Sequence, residues 1–160
     1  MEGEEETVEK QFGEICLRKG VCVATAESCT GGYIAHLITS VPGSSAYFKG
    51  CVVAYANEVK EKILGVGAAD IETWGAVSES VVRQMAEGVK QLMRVDYAVA
   101  TSGVAGPDGG TTEKPVGTVW IAVATPQKTI ARKFVFSFTR ERNIAKAAVK
   151  ALELLIENIK

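Results

Sequence analysis

Apolar residues recur at every third or fourth position in three long segments, residues 6–19, 79–93 and 141–158. This spacing puts them on one face of a helix, so each segment is predicted to be an amphipathic helix packed against a core. Ser78 is a candidate N-cap for the second of these helices. Two shorter helices are predicted, one directly after Gly32 and one at residues 57–65, whose first residue, an asparagine, can serve as the N-cap.

Five short runs of β-branched and small apolar residues are predicted to be strands. They lie at residues 21–26, 48–56, 97–105, 116–124 and 130–138. Residues 66–77 are predicted to be mostly loop. Helices alternate with strands for most of the chain, and one hairpin-like strand pair breaks the alternation. This pattern predicts a three-layer α/β domain with a largely parallel, partly mixed sheet. We expect one domain across residues 1–160.

The composition narrows the classes of function. The chain has 160 residues, of which 47% are apolar, and 18 Lys+Arg stand against 19 Asp+Glu. A net charge of -1 argues against a general nucleic-acid binder, which needs excess basic charge to displace counterions. No apolar run is long enough to span a membrane, and the acidic start of the chain does not resemble a secretory signal. We therefore expect a cytoplasmic protein.

The cysteines do not predict a metal site. Cys16, Cys22, Cys29 and Cys51 contain no CxxC pair, and His36 is the one histidine. Structural zinc sites usually need a closer pair of ligands. In a reducing compartment the cysteines are expected to be free thiols, mostly buried, and no metal is expected.

The first candidate for chemistry is the loop TAESCTGG, residues 25–32, between a predicted buried strand and a helix. Ligands of such folds bind at the carboxyl ends of strands, and free N–H groups at a helix start attract negative charge. Ser28 is expected to lie there. The alternative is structural: Ser28 or Thr30 can simply be the N-cap of the helix.

The segment YANEVK places Tyr55 at a strand end and Lys60 in the short helix that follows. If burial lowers its pKa, Lys60 can deprotonate Ser28, and the Tyr55 hydroxyl can relay the proton or donate a hydrogen bond. The alternative is that Lys60 is a solvated surface lysine among charged neighbours. Spacing alone does not decide between these interpretations.

Two further segments are candidates for ligand binding. The glycine-rich run that contains Gly103 and Gly106 can expose backbone amides to a polar ligand, or it can be a flexible hairpin connection. Arg140 and Arg142 lie at the predicted start of the last helix, where basic side chains oppose the helix dipole. That placement indicates either a bound anion such as phosphate or a solvated helix end.

Taken together and in this order, the motifs resemble one family. AESCTGG, PGSSAYFKG, YANEVK, GAVSESV, SGVAGPDGG and KPVGTVW are similar to successive signatures of the CinA C-terminal domain family, from about residue 21 to residue 142. The chain resembles the stand-alone version of that domain. The resemblance implies a three-layer α/β/α sandwich with a five-stranded mixed, mostly parallel sheet.

The resemblance also implies an activity, the hydrolysis of the carboxamide of nicotinamide mononucleotide to nicotinate mononucleotide and ammonia, in pyridine-nucleotide recycling. It implies Ser28 as nucleophile, Lys60 as base and Tyr55 as an assisting hydroxyl, with no metal and no cofactor. It further implies Ser102 and Arg142 as substrate contacts. Because amide hydrolysis needs donors to the oxyanion, we expect these from the turn amides of Cys29, Thr30 and Gly31, and we expect Gly103 and Gly106 to contact the substrate. Arg142 is assigned to the phosphate, with Arg140 as the alternative because SFTRER departs from the family's pattern.

Two alternatives to this activity remain open. The chain can be a non-catalytic regulatory or adaptor module, as the competence association of the family name suggests, or it can act on a different small amide or nucleotide. The expected partner is a small-molecule nucleotide. Near-zero net charge and many apolar residues also permit a homo-oligomer.

Overall fold

The computed structural model describes residues 5–159 of the chain, which contain both helices and strands. Six α-helices are found in this part: α1 Val8–Lys19, α2 Tyr33–Thr39, α3 Asn57–Lys62, α4 Ala68–Trp74, α5 Glu79–Met93 and α6 Arg140–Asn158. The same residues contain five strands: β1 Val23–Glu27, β2 Phe48–Val53, β3 Tyr97–Gly103, β4 Thr118–Ala124 and β5 Thr129–Val135.

The strands form one sheet in the order β2-β1-β3-β4-β5. β1 is parallel to both β2 and β3, whereas β4 is antiparallel to β3 and to β5. All strands except β4 therefore point in the same direction, and the mixed, mostly parallel sheet is confirmed. The carboxyl ends of β1, β2 and β3 meet at one edge, so the three loops that follow them are brought together.

Each face of the sheet is covered by helices, which confirms the three-layer α/β/α sandwich. Under α1, α2 and α6 the sheet presents branched side chains such as Val99 and Ile121, which pack with Phe12 and Leu152. Under α5 it presents mainly alanines, namely Ala24, Ala26, Ala98, Ala100, Ala122 and Ala124. Small side chains on that face let α5 lie close to the sheet.

The prediction of loop for residues 66–77 is wrong, because α4 occupies Ala68–Trp74. This helix has seven residues and buries only Ile71. It therefore contains no repeated spacing of apolar residues from which a helix could be predicted. The proposed cap at Ser78 is confirmed, since its side chain accepts a hydrogen bond from the Val81 amide. Within the described residues, no helix is both long enough and apolar enough to span a membrane.

Candidate active site

The loops after β1, β2 and β3 enclose a cavity of about 290 Å³ together with the start of α6. Most of the side chains and backbone groups predicted for the site line this cavity, namely Ser28, Cys29, Tyr55, Lys60, Ser102, Gly103 and Gly106. The parallel order of β2, β1 and β3 explains this convergence, because it puts three separate sequence segments at one edge of the sheet.

Ser28 directly follows β1, and it is 8% exposed. Its N–H donates to the Thr101 carbonyl at 3.1 Å, and its carbonyl accepts from the Gly31 N–H at 3.0 Å. Gly31 has φ +58°, a left-handed conformation that glycine adopts without a steric penalty. The turn therefore holds Ser28 in the cavity wall.

The predicted N-cap alternatives for Ser28 and Thr30 are wrong, because Gly32 occupies the N-cap of α2 and provides no side-chain hydrogen bond. The carboxylate of Glu27 accepts instead from the amides of Ile34 and Ala35, at 2.9 and 3.0 Å. The Tyr33 N–H, the first of α2, donates to the Thr30 carbonyl at 2.9 Å. All three of these amides are thus engaged within the protein and are not directed at a ligand.

The predicted oxyanion donors of the turn differ in availability. The Gly31 N–H is bonded to the Ser28 carbonyl, whereas the N–H groups of Cys29 and Thr30 have no oxygen acceptor among residues 5–159. Cys29 lines the cavity; Thr30 and Gly31 do not. The two amides of Cys29 and Thr30 are therefore the candidates for binding a developing negative charge next to Ser28.

Lys60 is a buried residue, only 1% exposed, although its neighbours in sequence are charged. Its ammonium group donates to the backbone carbonyl of Tyr55 at 3.2 Å and forms no ion pair with any described carboxylate. Burial lowers the pKa of Lys60 below the usual value of 10.5. The solvated-lysine interpretation is therefore wrong, and the side chain has the environment of a lysine that can lose its proton.

Ser28 and Lys60 line the same cavity, but no direct hydrogen bond joins their side chains in the described structure. The ammonium does not point into bulk water on another face of the protein. The structure thus brings a serine hydroxyl and a buried lysine to one cavity wall, and substrate binding can bring the two groups closer together.

Tyr55 contributes to the cavity in two different ways. Its backbone carbonyl accepts from Lys60, while its side chain is 63% exposed and its hydroxyl accepts from Arg140 Nη2 at 3.2 Å. The hydroxyl is therefore engaged with the arginine, and the contact with the lysine is made by the main chain.

The two arginines of α6 have separate environments. Arg140 lines the cavity and donates from Nη1 to the Gly106 carbonyl at 2.7 Å. Arg142 lies outside the lining, with its guanidinium carbon 4.5 Å from the centre of the Phe138 ring. The structure therefore brings Arg140 to the candidate site, and not Arg142, to which the phosphate was assigned from sequence.

Three polar side chains of the cavity lining were not assigned to the site from sequence: Arg140, which was only an alternative, and Asn57 and Asp108. Asn57 was interpreted as a helix cap, although α3 begins at Asn57 and its N-cap position is Ala56. Asp108 belongs to the glycine-rich segment after β3. The one sequence feature that could have indicated its role is that it is a polar residue among glycines.

Ser102 was assigned to the site from sequence. Its hydroxyl donates to the Ala76 carbonyl at 2.8 Å.

The cysteines are free thiols, as predicted. Burial is the main cause that raises the pKa of Cys29 to about 12, so this thiol next to Ser28 stays protonated near neutral pH. Within residues 5–159, no three His, Cys, Asp or Glu side chains are grouped so that they could hold a metal ion.

Two known proteins are similar in sequence to this chain. The nicotinamide-nucleotide amidohydrolase PncC of Escherichia coli K12 is 48% identical over 91% of this chain and 89% of its own length. A CinA-like protein of Cytophaga hutchinsonii is 47% identical over 97% of this chain, and the matched part is 37% of that longer protein. The chain thus spans little more than a third of the length of several relatives.

Solved structures show the same fold. The crystal structure of the competence/damage inducible protein CihA from Agrobacterium tumefaciens superposes with a TM-score of 0.90 and 37% identity, and covers 98% of both chains. A CinA superfamily protein from Klebsiella pneumoniae gives a TM-score of 0.91 at 31% identity, covering 96% of this chain and 98% of its own. The family model described as the CinA C-terminal domain matches residues 5–159, and the chain therefore belongs to the CinA C-terminal domain family.

Proposed function

We propose that the protein is an amidohydrolase that converts nicotinamide mononucleotide to nicotinate mononucleotide and ammonia. The observation that carries the proposal is the burial of Lys60, without a carboxylate partner among the described residues, in the same cavity wall as Ser28. The substrate assignment is supported by the similarity to the Escherichia coli nicotinamide-nucleotide amidohydrolase.

In the proposed reaction neutral Lys60 accepts the proton of Ser28, and Ser28 Oγ attacks the carboxamide carbon of the substrate. Negative charge develops on the carboxamide oxygen, where the N–H groups of Cys29 and Thr30 can stabilise it. An aimed donor of this kind is worth roughly 3 kcal/mol of the activation free energy. The positive pyridinium ring helps, because it withdraws electrons from the carboxamide.

The protonated Lys60 then gives its proton to the departing amine, so the carbon–nitrogen bond breaks and ammonia leaves. The product of this step is an ester of Ser28. A water molecule attacks that ester, with Lys60 again accepting the proton, and releases nicotinate mononucleotide and the free serine. The same base therefore serves both half-reactions.

Arg140 is the proposed phosphate ligand. Its guanidinium group uses two N–H groups on Gly106 and Tyr55, and a guanidinium carries five, so donors remain for a phosphate. Asn57 and Asp108 are proposed to contact the ribose hydroxyls. The reaction would return nucleotide to pyridine-nucleotide synthesis, and we propose that it takes place in the cytoplasm.

The experiment is ammonia release from nicotinamide mononucleotide by wild type, Ser28→Ala and Ser44→Ala. Ser44 is a matched control because it is also a serine with 8% exposure, and it lies outside the cavity lining. We expect turnover by wild type and Ser44→Ala, and a loss of at least about 1000-fold in Ser28→Ala.

Each hypothesis predicts a different result in this assay. An active Ser28→Ala variant would contradict the serine mechanism. An inactive wild type would remove nicotinamide mononucleotide as substrate and favour the adaptor module or another amide. The buried lysine argues against the adaptor, since a buried amine costs stability and contributes nothing to a surface that binds a partner.

A further inference from the structure

Glu27 is a buried carboxyl group for which the proposed reaction has no use. It is the last residue of β1, directly before Ser28, and its side chain is inaccessible to solvent. Both of its oxygens accept hydrogen bonds, which is the behaviour of a carboxylate. The five donors are Thr25 Oγ1, Thr30 Oγ1, Cys51 Sγ and the amides of Ile34 and Ala35.

No lysine, arginine or histidine among the described residues forms an ion pair with Glu27. Neutral donors and the N-terminal amides of α2 compensate this carboxylate instead. Because these donors come from β1, β2, α2 and the turn after β1, the carboxylate is a fixed point against which the turn can be held.

Thr30 connects this fixed point to the turn that carries Ser28. Its hydroxyl donates to Glu27 Oε1 at 2.6 Å and lies 2.8 Å from Thr101 Oγ1. A hydroxyl has one proton, so donation to Glu27 leaves Thr101 as the donor to Thr30. The hydrogen bonds therefore run in one direction, from Thr101 through Thr30 to Glu27.

The turn is held at both of its ends. At the first end, the Ser28 N–H donates to the carbonyl of Thr101, the residue whose hydroxyl donates to Thr30. At the other end, the Thr30 side chain donates to Glu27. The two amides without an oxygen acceptor among residues 5–159, those of Cys29 and Thr30, lie between these anchors.

We propose that Glu27 is a positioning residue for the nucleophile: through the Thr30 hydroxyl it holds the Cys29 and Thr30 amides toward the oxygen on which charge develops. This inference rests on the proposed function, because it needs Ser28 to be the nucleophile. The amides act on the transition state and Arg140 on the ground state, so loss of the Glu27–Thr30 contact lowers kcat and leaves KM nearly unchanged.

The test compares Thr30→Val with Thr25→Val. Both threonines are buried, both hydroxyls donate to Glu27, and valine keeps the shape of each side chain. Only Thr30 belongs to the turn; Thr25 lies within β1. We expect Thr30→Val to lower kcat for nicotinamide mononucleotide about 10–100-fold with KM within about threefold, and Thr25→Val to keep both within about threefold.

Thr30→Ser retains the hydroxyl and is expected to restore kcat to within about threefold of wild type. The pH profile of kcat should keep its position in all variants, since none of them alters Lys60. An equal loss of kcat in Thr25→Val and Thr30→Val would show that the hydrogen bonds to Glu27 only maintain the structure, and it would overturn the proposal. An unchanged kcat in Thr30→Val would also overturn it. If the valine variants do not fold, Thr30→Ala and Thr25→Ala provide the same comparison.

A second measurement separates this inference from the substrate assignment. Diisopropyl fluorophosphate forms an oxygen–phosphorus bond with an activated serine and releases fluoride, the serine proton passing to the base; the rate is followed by intact mass. We expect labelling of wild type and Thr25→Val at similar rates and at least about tenfold slower labelling of Thr30→Val.

Labelled wild type without turnover of nicotinamide mononucleotide would contradict the proposed substrate, and the labelling rates of the variants would still support or overturn the positioning role. Wild type that shows neither labelling nor turnover would overturn both proposals.

Discussion

Two arginines only two positions apart meet different surroundings at the start of α6. Arg140 reaches the cavity and links Gly106 to the Tyr55 hydroxyl, whereas Arg142 covers the Phe138 ring. Residues two apart on a helix point in directions about 200° apart, since each residue turns the helix by about 100°. One of the two side chains can therefore face the site while the other faces away.

Replacement of Arg140 is expected to weaken binding of the phosphate. A hydrogen bond to a charged group is worth about 1.5–3 kcal/mol, so Arg140→Ala should raise KM for nicotinamide mononucleotide about 10–100-fold, and Arg142→Ala less than about threefold. Steady-state kinetics of both variants measures this. With nicotinamide riboside, which lacks the phosphate, Arg140→Ala should differ little from wild type; the reverse ranking of the two arginines would contradict the assignment.

At the scale of elements, a glycine in the middle of α5 fixes the position of the segment that carries Lys60. A Cβ on Gly88 would collide with the backbone carbonyl of Leu64, which lies two residues after the end of α3. The close approach of α5 to this backbone is possible only without a side chain. The glycine thus stabilises the placement of α3 although it weakens the helix that contains it.

Gly88→Ala should therefore destabilise the protein. Helix propensity alone favours alanine by about 1 kcal/mol, but the collision with backbone should outweigh it and lower the free energy of unfolding by about 1–3 kcal/mol. Ammonia release should fall as well, because displacement of Leu64 moves α3 and with it Lys60. Urea denaturation and the activity assay measure the two effects.

The neighbouring exposed residue provides the control for this substitution. Glu87→Ala changes the same helix without a new contact and should alter the free energy of unfolding by less than about 0.5 kcal/mol. A Gly88→Ala protein more stable than wild type would contradict this prediction. It would show that the helix propensity of alanine outweighs the contact with the Leu64 backbone, and that this contact can relax.

At the scale of the whole molecule, Lys60 makes stability depend on pH. Its pKa is lowered by burial in the folded state and returns to about 10.5 on unfolding. Between these two values the unfolded chain binds more protons, so stability increases as pH rises through this interval. Below the folded pKa the full cost of the buried charge is present, and above 10.5 it disappears.

Lys60→Met should abolish proposed catalysis and increase stability at neutral pH. Methionine fills similar space without a charge, so the free energy of unfolding should rise by about 0.5–2 kcal/mol at pH 7, a gain that shrinks as pH approaches 10. Denaturation curves at several pH values measure it. Lys62→Met, at an exposed position of α3, should show no such gain; an equal gain in both would contradict burial as the cause.

The same lysine controls the expected pH dependence of the reaction. Because only the neutral amine can accept the serine proton, activity should fall as pH decreases through the folded pKa of Lys60. That fall should occur below the 10.5 of an unperturbed lysine.

The order and type of most elements were predictable from sequence because they rest on local patterns. The alternation of apolar runs and helical stripes required no knowledge of distant contacts, and Ser78 could be recognised as a cap from its position before α5. The helix α4 was missed because its stability comes from packing of Ile71 and its neighbours on α5, which no seven-residue pattern reveals.

The sequence by itself determined the fold class, through the periods of its apolar residues, and the family, through six motifs in a fixed order. Only the tertiary structure decided that Lys60 is buried in the cavity that Ser28 also lines, and that Arg140 reaches this cavity. It also decided that the Glu27 side chain, rather than that of Ser28 or Thr30, binds the amides of Ile34 and Ala35. The physical reason is that the burial of a side chain and the direction in which it points depend on the order of the strands and on the rotation of each helix about its axis. These bring residues 28, 60 and 140 together from segments that share no local pattern.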